Sequence, residues 1–343
     1  MNSTYPGLRP TGQRSIAPRA FLNLLLTFIF TSLALIFLVL RLVARFILTK
    51  TGGKDELIII VAFIFAVGLI PATLHQADHG LGIPTSQLNL ADIREILKGL
   101  YAAIICYIMA LWLAKLAIGL QYLRVFKTGK TRIVVWLAIF LTVAYGIEAM
   151  VLAVFTCKPI NSFWNVELDG ECIDLKVGYV TNASYQIVSD LIFLAIPMPL
   201  LSKVNIPMEK RLWALSALGI GIVGCLMSIL RLHGLYELGI SDDLAFENAY
   251  LSMWSNLEVL VAILCACSQT FQPIIRSAFP NLLPETESLK SQPFYREPLP
   301  IYQPTQIPNN ATSGSNTIVF FSGMNLEVVD RDKKVVFDKE NLI

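Results

Sequence analysis

Five charged side chains stand where charge is costly. Lys115, Glu148, Asp190 and Glu258 each interrupt an apolar run long enough to cross a bilayer, and Arg231 closes another. An ionised group inside hydrocarbon is expensive, so each is expected to face protein or water and to have a partner. Lys115 and Asp190 lie at matching depths in their runs, which predicts an intramembrane ion pair between them. Such a pair serves either to specify the packing or as a switch that opens on activation. Glu148, Arg231, Trp254 and Glu258 fall toward the same bilayer surface, with Tyr250 and Asn256 beside them, and together are expected to line a ligand pocket. Helix packing accounts for the aromatic residues equally well.

Around Asp190 the run is polar on one face, since Asn182, Gln186, Ser189 and Asp190 follow at i, i+4, i+7 and i+8. Cys157 and Cys172 flank a polar loop and are expected to form a disulfide in an oxidising compartment, with Cys106 as a rival partner. His75 and His79 at i and i+4 can share a metal. The third histidine, His233, does not complete a His-rich catalytic zinc site, and the plain reading is a surface turn before Gly80 and Gly82. No metal, cofactor or catalytic residue is therefore expected. Gly219-x-Gly221-x-x-Gly224 spells a dinucleotide fingerprint but lies inside an apolar run with no preceding strand, so it fails that motif's context. Ala217, Gly221 and Cys225 instead give a small-residue face for close helix packing.

The elements that must position these residues are seven apolar runs: Phe21 to Leu40, Leu57 to Leu74, Leu100 to Leu123, Ile133 to Phe155, Val177 to Leu201, Leu212 to Leu230 and Ala249 to Ile275. Each is about the length that spans a hydrocarbon core of roughly 30 Å. The chain is 55% hydrophobic and 15% charged, with a mean hydropathy of +0.61. Soluble domains carry about 25% charged residues, so these values place the protein in a membrane. The first run is too long for a signal-peptide core. Pro71, Pro197, Pro199 and Pro273 are expected to bend the helices near their ends. An all-α bundle of seven transmembrane helices follows, over residues 21–276.

Eleven Lys and Arg residues fall in the odd connections and five in the even ones. That asymmetry predicts cytoplasmic odd loops, an outside N-terminus and a cytoplasmic C-terminus, although Arg9, Arg14 and Arg19 pull the other way. Residues 1–20 read as a short extracytoplasmic lead, with a weak glycosylation sequon at Asn2. Residues 277–343 read as a cytoplasmic, largely disordered tail rich in Pro, Ser and Asn. Its end, around Ser322-Gly323-Met324-Asn325, reads equally as a hairpin. A net charge of +2 gives no sign of a nucleic-acid partner.

A family resemblance rests on an ordered set of pieces. They are Arg41-x3-Arg45 with Gly53-Lys54-Asp55-Glu56; His79-Gly80-Leu81-Gly82; Lys115 with Tyr122-Leu123-Arg124-Val125-Phe126; and Cys157-x-Pro159-x4-Trp164 with Cys172. Asp190 with Pro197-x-Pro199, Leu218-Gly219 with Ser228-Ile229-Leu230-Arg231-Leu232, and Trp254-Ser255 with Glu258 and Pro273 complete it. In these the chain resembles the fungal rhodopsin-like integral membrane proteins, which include Pth-type receptor-like proteins and the satratoxin-cluster membrane protein. The acidic pair after the first helix departs mildly from the family, reading Lys54-Asp55-Glu56.

The resemblance implies a multi-pass, receptor-like seven-helix protein, in the plasma membrane ahead of internal membranes, with some members encoded beside secondary-metabolite genes. No large cysteine-rich domain precedes the first run, so ligand capture by one is not expected. Rhodopsin pigments hold retinal on a lysine of the last helix, and Ala249 to Ile275 contains none. The expected function is sensing of a small or apolar ligand, with membrane lipid and a cytoplasmic signalling protein as partners. Transport or export of a metabolite is the alternative, and no enzymatic activity is expected.

Overall fold

A computed structural model of the chain describes residues 16–50, 52–126, 129–165, 167–173, 175–198, 208–241, 243–270, 317–322 and 325–330. Two units separate within it, Met1–Pro284 and Glu285–Ile343. In the first, the described residues form seven long helices in succession: α1 (Pro18–Leu42, prolonged by a π-helical stretch Val43–Leu48), α2 (Lys54–Asp78), α3 (Leu90–Val125), α4 (Lys130–Val154), α5 (Leu175–Ala195), α6 (Met208–Ile240) and α7 (Leu244–Ser268). Among the described residues, six helices are long and apolar enough to cross a membrane, and α5 is not among them. With 21 residues α5 does not lack length. Its described residues include Asn182, Ser184, Gln186, Ser189 and Asp190, and these pull its mean hydropathy down.

Local chemistry sets the helix ends. α1 opens on Pro18, whose missing N–H costs nothing in a first turn. α5 stops at Ala195, because Pro197 has no N–H to donate and crowds the residue before it. Pro71 lies inside α2 rather than near its end, a place that membrane helices tolerate because neighbouring groups re-satisfy the freed carbonyl. Pro199, Pro273 and Asn2 fall outside the described residues.

The bundle is packed inside out relative to a soluble one. Leu33, Ile36, Ile64, Leu137, Phe140 and Ile229 are exposed, whereas Arg41, Asp55, Glu56, Lys115, Arg231 and Glu258 are buried. Apolar residues turned outward and charges turned inward are what a hydrocarbon solvent selects. Close approach inside depends on alanines, with Ala62 and Ala66 of α2 and Ala110, Ala114 and Ala117 of α3 all in the core.

One end of the bundle gathers the α2–α3, α4–α5 and α6–α7 connections. Gly80 and Gly82 turn the chain there with φ of 103° and 83°, a left-handed region in which a side chain is strained. The Gly82 N–H donates to the Ala245 carbonyl at 2.9 Å, and Thr85 bonds the Asp243 carboxylate through both N–H and hydroxyl. In the α4–α5 connection two short strands, β1 (Cys157–Lys158) and β2 (Glu171–Cys172), pair antiparallel. A disulfide joins Cys157 to Cys172. Between them Phe163 and Trp164 pack against Tyr101 of α3 at 5.3 and 5.5 Å between rings, so the loop lies over the bundle.

The opposite end is closed by charge. Arg41, fully buried, donates to the Ala266 carbonyl at 2.7 Å and pairs with Asp55 and Glu56 at 3.0 and 3.4 Å. Arg124 reaches Asp55 at 2.5 Å, and Arg45 reaches Glu56 at 3.3 Å. Four helices, α1, α2, α3 and α7, meet in that cluster.

In the second unit the described residues form one hairpin, β3 (Thr317–Ser322) paired antiparallel with β4 (Asn325–Asp330). Ile318 stands opposite Val329 and Phe321 opposite Leu326, with Ser322 opposite Asn325 next to the turn.

The Arg41 cluster gives a direct stability test. Replacing Arg41 by Leu leaves two buried carboxylates short of their main partner, which costs roughly 3–5 kcal/mol. Thermal unfolding of the purified protein in detergent should show a correspondingly lower midpoint for Arg41→Leu, and an exposed-face change such as Ile64→Val should leave it unmoved.

Candidate functional site

The polar face of α5 meets α3 at Lys115. This lysine is 5% exposed, and its ammonium lies 2.6 Å from Gln186 Oε1, 2.6 Å from Ser189 Oγ and 2.7 Å from Asp190 Oδ1. Three donors thus meet three acceptors. Asn182, one turn earlier, accepts instead from the Tyr145 hydroxyl of α4, whose ring stacks on Tyr185.

From Asp190 the contacts continue to α6 and α7. Ser228 Oγ is 2.7 Å from Asp190 Oδ2 and 2.6 Å from Glu258 Oε1. Glu258, 2% exposed, also accepts from the Tyr107 hydroxyl at 2.7 Å and pairs with Arg231 Nε at 2.9 Å. The Arg231 guanidinium stands 5.1 Å from the centre of the Tyr107 ring. Lys115, Asp190, Ser228, Glu258, Tyr107 and Arg231 therefore form one unbroken polar chain across α3, α5, α6 and α7.

Two features of this chain bear on chemistry. Its two cations balance its two carboxylates, so it is neutral as a set. Ser228 carries a single hydroxyl proton yet sits within hydrogen-bond distance of two carboxylates, so with both ionised it can serve only one at a time. That makes the serine a two-position link.

Each end of the chain opens on a cavity. Toward the disulfide end, a cavity of about 140 Å³ is lined by Leu100 and Tyr107 of α3, Phe163 of the disulfide loop, Asn182, Arg231 and Asn256 among others. Arg231 is among the lining residues, and its Nη2 is itself buried, with no hydrogen-bond partner among the described residues. Toward the Arg41 end, a cavity of about 280 Å³ is bounded by Lys115, Tyr122, Asp190, Leu218, Glu258 and Cys265 among others. Both walls are mainly apolar with a few convergent polar groups, as small-molecule sites usually are.

A family profile described as the fungal rhodopsin domain matches residues 40–277, well over half of the chain. The chain belongs to the fungal rhodopsin domain family. It is 28% identical over 210 residues to a SAT4 family membrane protein of Emericella nidulans, covering 60% of this chain and 53% of that one. It therefore spans about half the length of that relative. It is 26% identical to the polyenoic acids biosynthesis gene cluster protein Ba17b of Metarhizium anisopliae, covering 72% of this chain and 71% of that one. It is 22% identical to Receptor GIN3 of Arthrobotrys oligospora, covering 56% and 47% of the two chains. No solved structure matches.

Within this fungal rhodopsin domain, the residues singled out from the sequence separate. Lys115 and Asp190 pair at 2.7 Å, and Arg231 and Glu258 pair at 2.9 Å. Glu148 lies exposed on α4, and Trp254 stacks edge-on against Tyr250 at 5.6 Å; neither lines the two cavities. Of the two residues that join the pairs, Ser228 stands in the sequence only as a piece of the family resemblance and Tyr107 in no motif, because a lone tyrosine or serine in an apolar run carries no charge signal. Ser228 lies one turn before Arg231, on the same face of α6, and that spacing was the available clue. Gly221, read as part of a packing face, does sit at a close approach, since a methyl group there would come within 2.9 Å of Leu194 of α5.

Removing one partner of the Lys115 pair strands a carboxylate in an apolar bundle. Lys115→Met should lower stability by roughly 3–5 kcal/mol, and Lys115→Met with Asp190→Leu should recover part of that loss, because no buried charge is then left without its partner. Unfolding midpoints of the two variants in one detergent check the ordering.

Proposed function

We propose that this fungal rhodopsin domain protein is a receptor-like sensor whose ligand enters the cavity at the disulfide end. The observation that carries this reading is Arg231, a lining residue of that cavity whose buried Nη2 has no hydrogen-bond partner among the described residues while its Nε pairs with Glu258 in the polar chain. A ligand with an acceptor on an otherwise apolar frame satisfies that nitrogen once the Arg231 side chain turns toward the cavity. Because the chain is already neutral, a carbonyl or hydroxyl suits the site better than a carboxylate. Asn182, Asn248 and Asn256 add further polar contacts along the wall.

Occupancy then acts on the two-position serine. Drawing Arg231 toward the ligand weakens its hold on Glu258, and the Ser228 proton is redistributed between Glu258 and Asp190. That alters the hold on Lys115, and with it the packing of α5 and α6 around the second cavity. A small shift at one site is amplified where a packed element has two discrete arrangements. The lysine and arginine distribution supports an outward disulfide end in the plasma membrane, with the Arg41 end meeting a cytoplasmic signalling partner. The receptor name of one relative and the biosynthetic-cluster name of another fit a sensor of a fungal metabolite.

A transport reading is favoured by a different observation. Both cavities reach the polar chain from opposite ends, as a path closed in its middle does. Flux of a bound metabolite in reconstituted vesicles separates the two readings, since a sensor binds without moving its ligand.

Ligand binding is tested by thermal shift of the intact protein against apolar oxygenated metabolites, with Ala103→Phe filling the cavity wall. A true ligand at about 100 times its Kd adds about 2.7 kcal/mol to the native protein and little to Ala103→Phe. Equal stabilisation of both proteins contradicts the proposed site.

A further inference from the structure

We propose that the disulfide end carries a binding site for a divalent transition metal, zinc above all, formed by His75 of α2 and His79, which caps that helix, with Glu95 of α3. From each of these three residues one ligand atom lies within 4.8 Å of those of the other two. The i, i+4 spacing of the sequence puts the two histidines together at the C-terminal end of α2, but it gives no reason to join Glu95 to them. The fold does so through Gly99: a methyl group there would stand 2.6 Å from Gln76 Cγ and 3.3 Å from His75 Cδ2, so only glycine lets α3 lie this close to α2.

Three features of the group match what such an ion requires. His75 Nε2 is 3.3 Å from Glu95 Oε2. Two ligands each about 2.0–2.1 Å from a tetrahedral zinc stand about 3.3 Å apart, so an ion fits between this pair with little movement. His79 Nδ1 lies 2.8 Å from the His75 carbonyl. A carbonyl only accepts, so Nδ1 carries the proton and Nε2 is the atom left to bind metal. A ring nitrogen held by a carbonyl in this way is the usual second contact of a metal-bound histidine. Glu95 Oε1 is held by Lys98 at 2.6 Å, which leaves Oε2 for the histidines.

The group is accessible, with His75 and Glu95 side chains 42% and 31% exposed. Water supplies the fourth position. Nitrogen and carboxylate donors in this number suit zinc and its first-row neighbours, and not calcium or magnesium, which take oxygen donors. Lys98 opposes the ion with its own charge, but it is exposed and free to turn into water.

The ion would clamp α2 to α3 at the rim of the cavity proposed for ligand. Leu69 of α2 and Leu97 and Leu100 of α3 line that cavity, and Gln76, next to His75, accepts from Asn248 on its far wall. Metal binding does not depend on the ligand reading and can be measured without any ligand.

The test uses the full chain in detergent, carried on a tag without histidine and stripped with a chelator. Zinc is titrated by thermal shift, and cobalt(II) by its visible absorption. We expect a saturable rise in unfolding midpoint that a chelator reverses, and cobalt bands typical of a four-coordinate site. His79→Ala and Glu95→Gln should each weaken binding at least about tenfold, the scale of losing a metal-site contact. His233→Ala should bind like the native protein. Lys98→Ala should bind more tightly, a gain that a misfolded variant cannot imitate. Absence of saturable binding at millimolar zinc, or unchanged affinity in His79→Ala, overturns the proposal.

Discussion

Charge inside an apolar bundle persists only when it is paired, and this constraint organises the membrane unit from one end to the other. Lys115 depends on Asp190, and Arg231 depends on Glu258. Ser228 joins the two pairs, so no member can be moved without cost to another. Because these residues come from α3, α5, α6 and α7, the polar chain also fixes how four helices meet. The helix surfaces outside are largely apolar.

The two ends of the bundle are built by different means. At the disulfide end the connections are tied by backbone hydrogen bonds, a short β ladder and aromatic packing, all of which suit a surface in contact with water. At the other end Arg41 closes α1, α2 and α7 through charge and one carbonyl, deep enough to be fully buried. α7 takes part in both, since Ala245 receives the Gly82 N–H and Ala266 receives Arg41. Between them it carries Glu258. A helix fixed at both ends, with the central carboxylate between, is suited to carrying a change at Arg231 into the rest of the bundle.

Much of this arrangement was legible in the residues. Runs of apolar sequence marked the seven helices, and single charges within them marked Lys115, Asp190 and Glu258 as residues in need of partners. Cys157 and Cys172, close in sequence and on a polar loop, marked the disulfide. What escaped the sequence was contact between distant residues of unremarkable type. Ser228 and Tyr107 carry no charge, and Glu95 sits in a polar segment where an acid is ordinary, so only the approach of α2 and α3 joins it to His75. Glu148 shows the converse: it has the right residue type and depth, but the rotation of α4 turns it outward. Depth along a helix is readable from sequence, whereas rotation about its axis depends on packing that weak periodicity does not specify.

The most direct test of this account is a double-mutant cycle on the two carboxylates that share Ser228. Unfolding free energies of Asp190→Asn, Glu258→Gln and the double variant are compared in the native and the Ser228→Ala backgrounds. A connected chain predicts a coupling of about 0.5–3 kcal/mol in the native background that falls sharply when Ser228 is alanine. Additivity within about 0.3–0.5 kcal/mol in the native background, the behaviour of independent sites, would contradict it.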